Sequence, residues 1–472
     1  MTLFLPELIL LMGSLVLFAV SLGTPKRDTL RSLVVILTTL VFLTSVLALK
    51  QNGTLFFGAY SVDIFSQLFK VLIASATLAV ILFSPSGGGI REDVTAEYYM
   101  FLFIGVLGLM MLVSSVELLA IFVALELSSF AVYIMVSMRS PAADGIQMEA
   151  GMKYLLFGVM ATAFMLFGMS YIFGLTGSTY LSDIIAGLDK LYNQPAALVG
   201  MLMILVSFFY KLAIFPFHFW VPDVYEGAAN ETTAFIAAVP KIAAAALMIR
   251  LVAMISADGE MVANLLLVLA VGSMFYGNLS ALAQKDVKRL LGFSGISHAG
   301  FVLFALITFQ ENGYALALYY IVGYAVMTLA CFLVICSLTP DGRNLEIQSF
   351  NGLYQRSPLL ALTLTIGLFA LAGIPPFVGF TGKFMVLYNG LKDGYLIAVI
   401  LAAINTAIAI YYYLSIVRAA YCTDQETSSE AMPAQSAAIS FTSVALLIII
   451  IAMGVAPAPF LAISASAIGA IL

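Results

Sequence analysis

Long apolar runs recur along almost the whole sequence, and they constrain the fold more than any other feature. A transmembrane α-helix needs about 20 mostly apolar residues to cross the hydrocarbon core of a bilayer. Hydrophobic residues make up 62% of the 472, and charged residues only 10%. Water-soluble globular domains do not have this balance. The sequence therefore predicts an all-α polytopic membrane protein.

Fourteen such runs can be placed, so we predict about fourteen transmembrane helices, numbered here helix 1 to helix 14. The run that forms helix 12 is long enough for two half-helices or one broken helix. The first run has no basic region or small-residue cleavage site before it, so we expect a retained helix and not a cleaved signal. The approximate bounds are 3–22, 32–49, 60–84, 97–115, 117–137, 150–174, 194–220, 232–253, 261–283, 290–308, 314–338, 358–388, 394–419 and 435–456.

Lysine and arginine outside the runs are unevenly distributed between the two sets of loops. Because Lys- and Arg-rich loops stay in the cytoplasm, the loops after odd-numbered helices are predicted to be cytoplasmic. Both termini would then lie on the outer, periplasmic side of a bacterial inner membrane. The loops after odd-numbered helices contain Lys26, Arg27, Arg31, Arg91, Arg139, Lys285, Lys288, Arg289, Arg343, Arg356 and Arg418. The loops after even-numbered helices contain only Lys50, Lys190 and Lys392.

Several ionisable residues lie inside the runs, where a charge costs at least ~2.5–3.5 kcal/mol and is a functional candidate by default. Those too deep to reach an interface are Glu126, Lys211, Lys241 and Lys383. Structural pairing inside the bundle is the alternative for these four. Lys70 and Arg250 could instead extend toward a membrane interface. Glu117, the other acidic residue noted in the runs, lies close to a helix end.

Prolines lie next to three of these lysines. A proline removes a backbone donor and clashes with the carbonyl four residues earlier, so each predicts a helix break. The predicted breaks are at Pro216 after Lys211, Pro240 before Lys241, and Pro375 and Pro376 before Lys383. Irregular backbone at membrane depth is tolerated where protein or water satisfies it. Broken helices at corresponding positions of two halves indicate an ion site between repeats.

Three residue pairs suggest an internal repeat. The pairs are Glu126 with His298, Lys211 with Lys383, and Gly151 with Gly323, and the members of each are 172 positions apart. Five helices separate the members of each pair, and an odd number inverts the topology. We therefore predict two inverted five-helix repeats, helices 4–8 and helices 9–13, with helices 7 and 12 broken. Identity under this offset is low, so coincidence remains an alternative.

The predicted organisation follows from this repeat. An N-terminal three-helix segment covers residues 1–96, and the two repeats cover residues 97–256 and 257–421. Helix 14 and a tail cover residues 422–472. The chain has three scattered cysteines and only two histidines, His218 and His298. It also lacks a phosphate-cradling glycine loop. We therefore expect no metal, redox cofactor or nucleic acid to bind to this chain.

Four motifs, in order, resemble one known family. They are Glu149-Ala-Gly-Met-Lys-Tyr-Leu-Leu-Phe-Gly, Phe217-His-Phe-Trp-Val-Pro-Asp-Val-Tyr-Glu-Gly, Lys288-Arg-Leu-Leu-Gly-Phe-Ser-Gly-Ile-Ser-His, and Leu371-Ala-Gly-Ile-Pro-Pro followed by Gly382-Lys-Phe. The sequence is similar over nearly its whole length to the antiporter-like membrane subunits of proton-pumping NADH:quinone oxidoreductase, respiratory complex I. The family's fourteen-helix inverted-repeat fold agrees with the helix count.

The resemblance implies a proton relay through buried side chains, driven by quinone reduction elsewhere in the complex. It matches Glu126 to the family's helix-5 glutamate, Lys211 and Lys241 to its helix-7 and helix-8 lysines, and Lys383 to its helix-12 lysine. His298 and Lys153 are further predicted relay residues. The partners implied are other membrane-arm subunits, through them the soluble redox arm, and the lipid bilayer. NADH, FMN, iron–sulfur clusters and quinone would then be bound by other subunits.

The sequence departs from the family pattern in two places. Members commonly have Gly-Ala-Pro after helix 7, whereas this chain has Gly227-Ala-Ala-Asn-Glu, and Pro240 replaces a usual small polar residue. Three other functions remain open at this point. The chain could belong to a multi-subunit cation/proton antiporter, could serve a related complex with another electron donor, or could be a structural scaffold.

Overall fold

The computed structural model of the chain describes residues 2–23, 25–84, 89–140, 145–188, 194–253, 260–422 and 435–472. Lys190 and the predicted domain boundary between residues 256 and 257 lie outside these ranges. Within them, thirteen helical segments are long and apolar enough to cross a membrane. The prediction of an all-α polytopic membrane protein is confirmed.

The described residues form nineteen α-helices, four short 3-10 helices and one two-stranded antiparallel sheet. The α-helices are α1 Leu5–Ser21, α2 Arg27–Leu47, α3 Ile64–Phe83, α4 Thr95–Ser114, α5 Leu118–Ser137, α6 Ile146–Thr176, α7 Leu181–Leu188, α8 Pro195–Leu212, α9 Val221–Gly227, α10 Asn230–Ala253, α11 Glu260–Leu282, α12 Val287–Leu306, α13 Glu311–Leu338, α14 Leu353–Arg356, α15 Pro358–Ala372, α16 Val378–Lys392, α17 Leu396–Tyr421, α18 Ala437–Val455 and α19 Pro457–Ile468. The strands are β1 Gly53–Leu55 and β2 Tyr60–Val62, and the 3-10 helices are Thr2–Phe4, Phe56–Gly58, Glu92–Val94 and Ile347–Phe350.

Two of the predicted membrane crossings are broken, as expected. Helix 7 consists of α8 and the short α9, and helix 12 consists of the two 15-residue half-helices α15 and α16. These half-helices complete the fourteenth crossing. The breaks contain cis peptide bonds between Phe215 and Pro216 and between Pro375 and Pro376.

The two breaks have the same hydrogen-bond pattern. At the end of α8 the amide of Ile214 donates to the carbonyl of Phe209, 2.9 Å away. At the end of α15 the amide of Ile374 donates to the carbonyl of Phe369, 3.0 Å away. The residue before each amide is in the left-handed conformation. The second break therefore repeats the first 160 positions later.

The starts of helices 5 and 10 correspond in the same way. The Glu117 carboxylate caps α5 by accepting from the amide of Ala120 at 2.7 Å, and the Asp286 carboxylate caps α12 by accepting from the amide of Arg289 at 2.8 Å. These caps are 169 positions apart, so the repeat is present but its offset changes along the chain. The uniform offset of 172 was wrong, because small differences in element length accumulate between the repeats. At these local offsets position 126 corresponds to Gly295, and position 211 to Leu371.

The predicted break at Pro240 is not present. α10 continues through Pro240 from Asn230 to Ala253, and nearly all of it is buried in the bundle. A proline interrupts one backbone hydrogen bond, but neighbouring helices can satisfy or shield the freed carbonyl of a buried membrane helix. Lys241 therefore lies on an unbroken helix.

Contacts between loops agree with the predicted alternation of the chain across the membrane. The loops after helices 3 and 5 meet in a bridge between Ile90 and Arg139. The loops after helices 4 and 6 meet in a bridge between Glu117 and Tyr180. Odd-numbered loops therefore contact odd-numbered ones, and even-numbered loops contact even-numbered ones.

Candidate functional site

Glu126 lies midway along α5 and is 9% exposed. The hydroxyl of Thr162 on α6 donates a 2.7 Å hydrogen bond to its Oε1 atom. The carboxylate lines an open cleft of about 470 Å³ whose other walls are mostly apolar, including Phe130 and Val159. A single carboxylate is therefore held at the edge of the bundle.

Lys211 lies one residue before the end of α8 and is 4% exposed. Its Nζ atom has no hydrogen-bond partner among the described residues. Glu126 acts on it electrostatically, but the two groups are not within the 4.0 Å of an ion pair. The structure therefore leaves the Lys211 ammonium without a fixed acceptor.

Lys241 lies in the middle of α10 and is 1% exposed. Its Nζ atom donates a 3.1 Å hydrogen bond to the hydroxyl of Tyr324 on α13. Nζ also lies 5.8 Å and 5.1 Å from the ring centroids of Tyr225 and Tyr324. Aromatic faces at this distance attract a cation, so the site favours a positive charge without placing a carboxylate against it.

His298 on α12 is enclosed by tyrosines. Its Nδ1 atom is 2.8 Å from the hydroxyl of Tyr320, and its Nε2 atom is 3.3 Å from the hydroxyl of Tyr413. The ring of Tyr324 lies 5.1 Å away between centroids. Lys241 and Lys383 both act on this imidazole electrostatically. The histidine thus lies between the two lysines and is bonded through both ring nitrogens.

Lys383 lies near the start of α16 and is 4% exposed. Its Nζ atom donates to the carbonyls of Leu371 at 2.9 Å and Ala372 at 3.2 Å, which are the last two residues of α15. The ammonium therefore satisfies carbonyls that the broken helix leaves without intrahelical donors.

Lys153 does not belong to the row of buried groups, which consists of Glu126, Lys211, Lys241, His298 and Lys383. Its side chain is 37% exposed, and it lies 2.6 Å from the Glu149 carboxylate and 2.5 Å from the Asp223 carboxylate. Arg289 extends the network by pairing with Asp223 and Glu226. The predicted relay role of Lys153 thus has no support from its position, which is that of a partly exposed ion-pair network.

Neither Lys70 nor Arg250 extends to an interface, which the sequence had left open as one alternative for both. Lys70 is fully buried, with Nζ 2.8 Å from Oε1 of the equally buried Glu7. Arg250 is paired at 3.1 Å with Asp63, the residue that caps α3. In both cases a buried carboxylate takes the place of the water that the cation would contact at an interface.

The tyrosines around His298 were not identified from the sequence. With 22 tyrosines in the chain, nothing in their spacing distinguishes Tyr320, Tyr324 and Tyr413 from ordinary core residues. The stacking partners of His218 were missed in the same way: its imidazole packs against the rings of Phe215 and Tyr276. Across the described ranges, no group of three or more His, Cys, Asp or Glu side chains could hold a metal ion.

A membrane bundle with two broken helices and a row of buried ionisable side chains defines an antiporter-like membrane subunit. The family model described as NADH:quinone oxidoreductase/Mrp antiporter, TM, matches residues 115–409. The NADH-quinone oxidoreductase subunit N 2 of Opitutus terrae is 47% identical over 96% of this chain and 95% of its own length. The chain belongs to the subunit N family of NADH-quinone oxidoreductase, the respiratory complex I family.

Solved structures agree with this assignment. A chain of respiratory complex I from Thermus thermophilus with bound Aureothin is 29% identical, matches 98% of this chain and all of its own length, and has a TM-score of 0.83. A chain of the Mrp complex from Dietzia sp. is 18% identical, over 99% of this chain and 96% of its own, with a TM-score of 0.85. The second likeness concerns the fold alone. The chain is therefore a multi-pass membrane subunit of a multi-subunit enzyme complex.

Proposed function

We propose that this chain translocates protons in the membrane arm of NADH:quinone oxidoreductase, through Glu126, Lys211, Lys241, His298 and Lys383. The observation that carries the proposal is the hydrogen bond from Lys241 to Tyr324, whose ring lies beside the tyrosine-enclosed His298. Buried lysine and histidine side chains at membrane depth would be costly if they served packing alone.

Each group in the central part of the row can pass a proton on. A tyrosine hydroxyl both donates and accepts hydrogen bonds, so Tyr324 can receive the proton of Lys241, and its ring lies 5.1 Å from that of His298 between centroids. Imidazole can be protonated at either nitrogen, and its two nitrogens contact hydroxyls on different helices. Protonation of His298 on one side and release on the other would move the charge toward Lys383.

Glu126 and Lys211 would control when the proton is released. Burial favours the neutral form of a lysine and a nearby carboxylate favours its charged form. The carboxylate of Glu126 is bonded to Thr162 instead of Lys211, so a small movement of α5 or α6 changes its effect on Lys211. Increasing that separation would favour transfer from Lys211 toward Lys241.

Moving one elementary charge across the membrane against its potential costs about 2.3 kcal/mol per 100 mV. This energy must come from a partner of the chain. We infer that the soluble redox arm supplies it through neighbouring membrane-arm subunits, with NADH, FMN, iron–sulfur clusters and quinone bound by other chains. The same proposal places the chain in a bacterial inner membrane with both termini on the periplasmic side. Uptake would then be cytoplasmic and release would occur near Lys383.

The test is Lys211→Ala in the assembled complex. Quinone reduction and proton pumping are measured in membrane vesicles containing equal amounts of complex. Both should fall strongly, and Lys211→Arg should fail nearly as badly, because arginine does not release its proton. The loop variant Lys285→Ala is the matched control and should behave as wild type. Wild-type pumping by Lys211→Ala would contradict the proposed relay, and cation exchange without a quinone reductase partner would favour the antiporter alternative.

A further inference from the structure

One buried carboxylate outside the proposed relay lies in the stretch where the sequence departs from the family pattern. Glu231 occupies the first turn of α10 and is 5% exposed. Lys241 follows ten residues later on the same unbroken helix, about 15 Å further along its axis. On helix 10, which is α12, the buried residues Lys288 and His298 are also ten positions apart. Both helices begin at loops after odd-numbered helices, so Glu231 and Lys288 lie nearer that face than the relay does.

The cations near Glu231 are bonded to other groups. Lys288 Nζ donates to the carbonyl of Ala228 at 2.9 Å. The Arg139 guanidinium donates to the carbonyls of Glu226 and Gly227 at 2.7 and 3.2 Å, and to the carbonyl of Gly342 and Oδ1 of Asn344 at 2.8 and 3.1 Å. Both cations act electrostatically on Glu231 without forming an ion pair with it. The two cations therefore attract the buried carboxylate without pairing with it, and its own backbone amide also interacts with it.

Other ionisable groups face the same carboxylate. Tyr98 and Tyr99 of α4 and Cys336 of α13 interact with it electrostatically. These three groups are neutral in their ordinary forms at neutral pH. Glu231 is thus the one of these four groups whose ordinary form is charged at neutral pH.

The backbone of two loops packs over Glu231. A Cβ atom added to Gly89 would lie 2.8 Å from both carboxylate oxygens, so the glycine backbone packs directly against them. A Cβ atom added to Gly342 would in turn lie 2.7 Å from Cα of Gly89. Loops after helices 3 and 11 therefore cover Glu231, and the lack of a side chain at both glycines allows this close packing.

Hydroxyl groups occupy the interval between Glu231 and Lys241. Thr232 donates to the hydroxyl of Tyr98 at 3.1 Å, and Thr233 donates to the carbonyl of Tyr225 at 3.1 Å. The Tyr225 hydroxyl is buried and interacts with the hydroxyl of Tyr324, which accepts a hydrogen bond from Lys241. The ring of Tyr225 lies 5.8 Å from Lys241 Nζ. Hydroxyl groups therefore lie along the interval between Glu231 and Lys241.

We propose that Glu231 is a proton-uptake site that takes protons from the face of the odd-numbered loops and passes them toward Lys241. This inference rests on the proposed function, since it supplies the relay described there. The proton binds one carboxylate oxygen, leaves from it to the hydroxyl groups beyond, and the carboxylate is regenerated, so no other reactant is consumed.

The experiment compares four substitutions in the native complex, with the pH gradient and membrane potential dissipated and quinone reduction as the readout. Glu231→Gln keeps the shape of the side chain but cannot bind the proton, and it should slow turnover by about tenfold or more. Glu231→Asp should keep a substantial part of the rate. Glu231→Ala should be slow but accelerated by added formate, whose small carboxylate fits the space vacated. Glu231→Gln leaves no such space and should not respond.

The matched control is Glu92→Gln, which removes an 84% exposed carboxylate near the same loops and should have wild-type turnover. Wild-type turnover by Glu231→Gln, with Lys211→Ala still defective, would overturn the uptake site and leave the proposed function intact. Failure of formate to accelerate Glu231→Ala would also overturn it, because a purely structural defect gives that result. Wild-type pumping by Lys211→Ala would instead contradict the proposed function itself.

Discussion

The ammonium group of Lys241 donates a 3.1 Å hydrogen bond to the hydroxyl of Tyr324, and the partners come from helices in different predicted repeats. α10 ends the first repeat and α13 belongs to the second. The proposed path thus crosses between the two repeats at a lysine–tyrosine contact and not at a lysine–glutamate pair.

Tyr324→Phe should reduce quinone reduction and pumping by about tenfold or more, because it removes the hydroxyl that accepts the hydrogen bond from Lys241. Assembly should be nearly normal, since the ring and its packing remain. The measurement is turnover per assembled complex in membrane vesicles. Tyr319→Phe is the control: its hydroxyl, also on α13, donates to the carbonyl of Met453 away from the row, so turnover should be retained. Equal turnover in the two variants would remove Tyr324 from the path.

Glu126→Gln should impair pumping by removing the charge that acts on Lys211, whereas Glu126→Asp should retain part of it. Thr162→Val deletes the hydrogen bond to Oε1 and leaves the charge in place. Its effect on pumping should therefore be smaller than that of Glu126→Gln. Proton uptake per quinone reduced distinguishes the three variants, and a Glu126→Gln complex with the wild-type ratio would exclude the switching role.

Lys70→Ala should lower accumulation of the complex, because the buried Glu7 carboxylate would lose its opposite charge and keep only the Tyr60 hydroxyl as a partner. Breaking one side of a buried pair costs about 3–5 kcal/mol. The double variant Glu7→Gln, Lys70→Met removes both charges and should recover much of the assembled complex. The measurement is the amount and melting temperature of complex in native gels. Normal stability of the single variant would mean that the pair does not support the fold.

A cysteine at position 285 should react with impermeant reagents only from the cytoplasmic side. Tags at both termini should be accessible only from the periplasm. The expectation follows from the Lys and Arg asymmetry between the two sets of loops, and labelling of intact cells against inverted vesicles measures it. Reversed labelling at position 285 would invert the whole assignment, including the direction of proton uptake.

Features carried by single residues could be predicted from the sequence. A lysine in an apolar run and a proline beside it each have a fixed physical cost, so Lys211, Lys383 and the breaks at Pro216 and Pro375 could be placed without a structure. The proline argument failed at Pro240, because the packing around α10, which a sequence does not show, decides whether a helix tolerates the lost donor.

Features that depend on a distant partner could not be predicted. An interface position for Lys70 stayed open because Glu7, its partner, lies 63 positions earlier near the start of the chain. The three tyrosines around His298 come from two helices, and nothing local distinguishes them from core residues. The offset of 172 matched residue types between the repeats, whereas the backbone hydrogen bonds show a correspondence of 169 at one helix start and 160 at the breaks.

Loss of the proton from Lys383 has a consequence for hydration. As an ammonium group it donates to the last two carbonyls of α15, at the negative end of the half-helix dipole. A neutral amine keeps two N–H donors, enough for both carbonyls, but it no longer offers the positive charge that strengthens those hydrogen bonds. Water is a small donor that can then compete for the carbonyls. Deprotonation of Lys383 and entry of water into the helix 12 break are thus linked equilibria.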